Sequence, residues 1–253
     1  MREPKPRGLP PQDEIDATAY YFIREHNDHA VALRKEGELA EAISNYDKVL
    51  SVKGDVAVVY NNRGVAWLEK GDLDRAVSDF DQAVAIAPDF AAPYYNRGIV
   101  RRKKKDLEQA IADFSLALEK EPDLPEAYNN RGETWSEKGC PERAAGDYSR
   151  AIALDPDFAA AYNNRGEAQR KQQKFYPAVE DYSRALTINP EFAVAYYNRG
   201  LAWCALDRPN RAIEDFNSAL ELDPDFFKAR PGLSEIVLNG DAERACRAAA
   251  GRG

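Results

Sequence analysis

Two histidines, three cysteines and one methionine are all that 253 residues supply of those side chains. Acid–base catalysis therefore has little raw material, since histidine is its usual carrier. His26 and His29 stand three apart with no cysteine near them, a weak pattern for a metal. No GxSxG, P-loop, HExxH or GxGxxG string occurs. Cys140, Cys204 and Cys246 are too far apart for a CxxC site, and so sparse and odd a set suggests no disulfide framework. They read as incidental or buried thiols in a reducing compartment. No run approaches 18 apolar residues, so no membrane span is expected. Positive charge is also short, with 35 Lys and Arg against 43 Asp and Glu. A formal charge of −8 argues against nucleic acid and anionic membranes, which recruit basic surfaces. The opening "MREPKPRGLPPQDEIDA" has charges and four prolines but no apolar segment, so it is no signal peptide. Residues 1–15 are expected to form a disordered tail. The expectation is a cytoplasmic protein that is not an enzyme and carries no cofactor and no metal.

What is present is repetition. The tripeptide Asn-Arg-Gly stands at 62–64, 96–98, 130–132, 164–166 and 198–200, each copy 34 residues after the last. A fixed period of that size means stacked supersecondary units. Numbering from seven residues before the glycine divides the chain into 57–90, 91–124, 125–158, 159–192 and 193–226, with a degenerate unit at 23–56. The solenoid then covers 16–226, and 227–253 holds a capping helix and tail, with helix expected at about 233–238 and 241–249. Position 4 of the five full units is tyrosine, from Tyr60 to Tyr196. Position 20 is alanine in all six, position 24 is aromatic (Tyr46, Phe80, Phe114, Tyr148, Tyr182, Phe216), and position 32 is proline from Pro88 onward. Positions 4, 8 and 11 share one helical face, as do 20, 21, 24, 27 and 28. Each unit is thus two amphipathic helices with a turn near positions 15–16, where Gly37, Gly71 and Gly139 sit. Proline ends the second helix. The acid after it, such as Asp89, Asp157 or Glu191, is expected to cap or otherwise favour the N-terminus of the next first helix.

These columns resemble the tetratricopeptide repeat (TPR). The resemblance implies an all-α fold, a right-handed superhelix of antiparallel helix pairs, with a concave groove lined mainly by first helices. It also implies a protein or peptide partner. It does not extend to the co-chaperone subclass that grips a C-terminal carboxylate, because position 5 is never Lys and position 9 never Asn.

Within the tripeptide the glycine is for packing. The arginine departs from the apolar residue usual in the family. Arg63, Arg97, Arg131, Arg165 and Arg199 each have an acid at position 23 of the same unit: Asp79, Asp113, Asp147, Asp181 and Asp215. The degenerate unit loses both together, with His29 and Asn45. Five structural ion pairs inside the repeats follow, since a half-buried arginine needs a partner; a row of arginines for acidic ligands is the alternative. Asn62, Asn96, Asn130, Asn164 and Asn198 face the groove. Their amides suit a peptide backbone, an arrangement similar to the asparagine ladder in the TPR superhelix of O-linked N-acetylglucosamine transferase. The alternative is that they bond neighbouring helices. Tyr95, Asn129, Asn163 and Tyr197 at position 5, Glu133 and Glu167 at position 9, and Arg102 and Arg170 at position 12 would set selectivity. The run "RRKKK" at 101–105 reads as a solvated face. The sequence thus points to an adaptor holding an extended peptide. Homo-oligomeric assembly, or service as an accessory subunit, remains the alternative.

Overall fold

The computed structural model describes residues 17–224, 236–237 and 239–250. The expected N-terminal tail lies outside these residues, as does most of the helix expected at about 233–238, of which 236–237 are helical. The described residues contain thirteen helices and no strand. They are α1 (Ala17–Glu36), α2 (Leu39–Val52), α3 (Ala57–Lys70), α4 (Leu73–Ile86), α5 (Ala91–Lys103), α6 (Leu107–Lys120) and α7 (Pro125–Glu137), followed by α8 (Pro141–Leu154), α9 (Ala159–Lys171), α10 (Phe175–Ile188), α11 (Ala193–Ala205), α12 (Pro209–Leu222) and α13 (Ala242–Ala250). The chain forms two compact units, Met1–Thr134 and Trp135–Gly253. In the first, α1–α2, α3–α4 and α5–α6 pack as hairpins; in the second, α9–α10 and α11–α12 do so and α13 covers α11 and α12.

Each pair closes on the contact between position 8 and position 24. A Cβ added to Gly64 would meet Phe80 Cε1 at 2.7 Å, one on Gly98 would meet Phe114 at 2.8 Å, and one on Gly200 would meet Phe216 at 2.6 Å. The glycine is therefore the floor under an aromatic ring, not only a point of backbone approach. Phe80, Phe114, Tyr182 and Phe216 are fully buried there.

The capping expected of Asp89, Asp157 and Glu191 does not occur. The N-cap positions of α5, α9 and α11 belong to Phe90, Phe158 and Phe192, none with a side-chain cap bond. Each acid sits one residue too early, because the ring after it occupies the cap position and packs inward. Two second helices, α4 and α6, are capped instead: Asp72 accepts from the Arg75 amide at 3.1 Å and Asp106 from the Gln109 amide at 3.3 Å.

The inter-helix turns share one geometry. Position 15 is left-handed in every repeat: Gly37, Gly71 and Gly139 at φ 88, 88 and 78°, but also Lys105, Gln173 and Asp207 at 63, 61 and 56°. The next amide then bonds back into the first helix, as from Asp72 to the Trp67 carbonyl and from Asp106 to the Arg101 carbonyl, both at 2.9 Å. Three repeats thus hold a side chain where glycine is at ease. Lys105→Gly, Gln173→Gly and Asp207→Gly should each raise the thermal midpoint by stabilising the fold about 0.5–1 kcal/mol, while Gly71→Ala should lower it by a similar amount.

Candidate functional site

The first helices place their position 6 beside position 5 of the repeat before. In the first unit Asn62 Nδ2 donates to Asn27 Oδ1 at 3.2 Å and Asn96 Nδ2 to Asn61 Oδ1 at 2.9 Å. Asn130 Nδ2 donates to the Tyr95 hydroxyl at 3.0 Å and to the Glu126 carbonyl at 2.9 Å. In the second unit Asn198 Nδ2 donates to Asn163 Oδ1 at 3.0 Å, and Asn163 Nδ2 donates to Asn164 Oδ1 at 3.3 Å. In these four repeats one amide hydrogen is therefore committed to the stack. The Oδ1 atoms of Asn62, Asn96, Asn130 and Asn198 accept no bond from another described residue, and all four side chains are half-buried. Position 5 lies deeper than a groove surface: Asn61, Asn129, Asn163 and Tyr197 are buried, and only Tyr95 is half-exposed.

The charges at positions 9 and 12 meet each other. Arg102 Nη1 bonds Glu133 Oε2, and Glu133 Oε1 also accepts from Asn129 Nδ2 at 2.9 Å. Arg170 forks onto Glu167 at 2.8 and 2.9 Å. Arg34 reaches Glu69 at 2.5 Å. Other members of the basic run are similarly engaged: Arg101 with Asp113 at 2.8 Å and Lys104 with Asp74 at 2.5 Å. At the C-terminal end Tyr197, Leu201 and Cys204 pack with Val237, Ala245 and Cys246 under the cap.

The position-7 arginines form forks. Arg63 Nη2 and Nε lie 2.7 and 2.8 Å from Asp79; the same two bonds are 2.6 and 2.9 Å from Arg97 to Asp113, 2.7 and 2.8 Å from Arg165 to Asp181, and 2.7 and 2.8 Å from Arg199 to Asp215. Arg131 lies in the first unit and Asp147 in the second. The remaining Nη1 reaches back to position 25 of the preceding repeat: Asp47 at 2.5 Å, Asp81 at 2.6 Å, Ser115 at 3.0 Å, Ser149 at 3.2 Å and Ser183 at 3.1 Å. Each guanidinium also stands over its own position-4 tyrosine, 5.4 Å for Tyr60 and 5.5 Å for Tyr196. Hydrogen bonding to Asp181 and to Asp215 raises the basicity of Arg165 and Arg199. Burial raises Asp215, against which Arg199 and the Trp203 indole N–H pull it down. Position 11 is therefore a second donor to the buried acid, as Arg101 is to Asp113. Sequence reading missed this. The signal was there: Trp67, Arg101, Trp135, Gln169 and Trp203 all carry N–H, while the degenerate unit has Leu33 and no acid at position 23.

The bond between Cys204 and Cys246 also departs from expectation. Their Cα atoms are 5.2 Å apart and the sulfurs are joined, leaving Cys140 as the free thiol. Sparse thiols looked unpaired because 42 residues separate these two; the last repeat and its cap bring them together.

Asp181→Ala strands a half-buried guanidinium and should cost about 2 kcal/mol in urea unfolding, whereas Arg165→Leu with Asp181→Ala should recover most of it. Burial pushes the Tyr46 and Tyr95 phenols up to about 12, and Tyr182 higher still. The folded values lie above the ordinary value near 10, so their contribution is intact below about pH 10 and is lost as pH rises through about 12. Ultraviolet titration should find these tyrosines ionising last, together with the loss of helical circular dichroism.

Tetratricopeptide repeat models match residues 27–92, 74–125, 159–192 and 193–226, and a TPR repeat model matches 137–173. No curated protein matches the sequence. Among solved structures, YrrB, described as a TPR protein with an unusual peptide-binding site, is 22% identical, with 71% of this chain and 93% of that one covered and a TM-score of 0.61. MamA is 25% identical over 65% of this chain and 96% of its own, with a TM-score of 0.60. PilF of Pseudomonas aeruginosa is 14% identical over 86% and 99%, with a TM-score of 0.75. The likenesses to YrrB and PilF speak to the fold alone.

Proposed function

The chain belongs to the tetratricopeptide repeat family, and from that premise we propose that it is a non-enzymatic adaptor holding an extended segment of a partner protein along its first helices. The observation that carries this reading is the unspent Oδ1 at position 6 of Asn62, Asn96, Asn130 and Asn198. Each asparagine gives a hydrogen to the preceding repeat, which fixes the amide plane, and keeps an acceptor for a ligand N–H. Helices pack about 8–10 Å apart, and an extended chain advances about 3.3 Å per residue. One acceptor per about three ligand residues follows from those two spacings. Recognition by such acceptors reads backbone in preference to side chains. The salt bridges of Arg102 with Glu133 and of Arg170 with Glu167 support this, since paired charges discriminate weakly among ligands. Asn164 stands at the same position of its repeat with its Oδ1 accepting from Asn163, and Tyr95 shapes the groove in the first unit. A peptide-binding relative of the same fold, YrrB, adds support.

The proposed setting is the cytoplasm. Disulfides there are transient as a rule, so the Cys204–Cys246 bond would open and close.

An array of random twelve-residue peptides tests the reading. Wild-type protein should bind a subset with Kd about micromolar, because ordering a flexible ligand consumes binding energy. Asn62→Ala with Asn96→Ala should weaken those peptides about tenfold or more while circular dichroism stays helical, each lost amide being worth about 1 kcal/mol. Unchanged affinity in a folded double variant would remove the asparagines from the binding surface.

A further inference from the structure

The cap is held by chemistry as much as by packing. α13 has nine residues, and an isolated helix shorter than about 12–15 residues is marginal in water. Its apolar grip is small. Ala245 is buried and Ala248 half-buried against the last repeat, with Ile236 and Val237 just before the helix. Its charged side chains do not help: Arg247 pairs with Glu243 on the same helix, and Asp241 caps it by accepting from the Arg244 amide at 2.9 Å. Among the described residues no hydrogen bond or ion pair ties an α13 side chain to α11 or α12. The one strong link is covalent, from Cys246 to Cys204 on α11.

That link sits over sensitive ground. Cys204 occupies position 12 of the last first helix, about two turns beyond Tyr197 at position 5 and one beyond Leu201 at position 9. The cap covers all three. A terminal repeat with its apolar face open is a liability that solenoids cover. Both cysteines are half-buried, so a thiolate can reach the bond.

We propose that the Cys204–Cys246 disulfide is a redox latch on the cap: oxidised, it clamps α13 over the end of the last repeat; reduced, it releases α13 and uncovers Tyr197 and Leu201. The step balances with a dithiol reductant. Two electrons and two protons pass to the disulfide, giving two thiols, and the dithiol becomes a disulfide. The latch stands whether or not the asparagines bind peptide, because it concerns only how the cap is held.

Hydrogen exchange on the full chain, oxidised with glutathione disulfide and then reduced with dithiothreitol, tests it. Thiol titration of the denatured protein should count one thiol before reduction, Cys140, and three after. Amides of 242–250 should exchange about 100-fold faster once reduced, while those of α12 and of α3–α6 keep their rates. Cys204→Ser with Cys246→Ser should exchange fast in the cap under both conditions. Three thiols in the oxidised sample, or unchanged cap exchange on reduction, would overturn the latch. So would loss of protection through α11 and α12, which would make the disulfide a staple of the whole unit.

Discussion

The contact between an aromatic ring and a bare glycine sets the geometry of α3–α4, α5–α6, α9–α10 and α11–α12, whereas α1 carries Ala30 at the same position. In those four pairs no side chain fits at position 8 without a shift, since a Cβ on Gly98 would fall 2.8 Å from Phe114. Interiors are close-packed and cannot absorb such an overlap without shifting. The ring therefore fixes how near the two helices stand. Position 7 of the first helix then lies opposite position 23 of the second, and the fork between Arg97 and Asp113 becomes possible.

From that fork the repeats are joined. Two of the guanidinium donors serve the acid of their own helix pair, and a third crosses to the repeat before. Position 25 offers it a carboxylate at Asp47 and Asp81 and a hydroxyl at Ser115, Ser149 and Ser183. One planar, always charged side chain thus ties its own pair and its neighbour. The asparagine beside it does the same on the inner face with neutral groups. In the proposed reading the same residues serve stack and ligand, and the acceptor each amide keeps is what a peptide would use. The charges at positions 9 and 12 are paired among themselves.

Much of the fold was legible because it is periodic. Six copies of small, aromatic and proline columns define helix pairs with little ambiguity, and the turns near position 15 were visible wherever glycine stood. Lys105, Gln173 and Asp207 hid the same turn, since a left-handed backbone leaves no mark when the residue is not glycine. The acids after the prolines misled for a local reason: an aromatic ring took the cap position they seemed to serve. The site was legible as residue types and not as depth. Asn129 and Asn163 read as groove residues, yet both lie buried, Asn129 donating to Glu133 on its own helix and Asn163 accepting from Asn198 one repeat on.

The sequence by itself determined the repeat length, the pairing of helices and the company of arginine with aspartate, because each of these recurs at constant spacing and needs only one repeat to be understood. Tertiary structure alone decided what joins different repeats: the third arginine donor, the asparagine bonds 35 residues apart, and the disulfide between the last repeat and its cap. Those contacts depend on distances between separate helices, and helix spacing is set by packing volume, which periodicity does not carry.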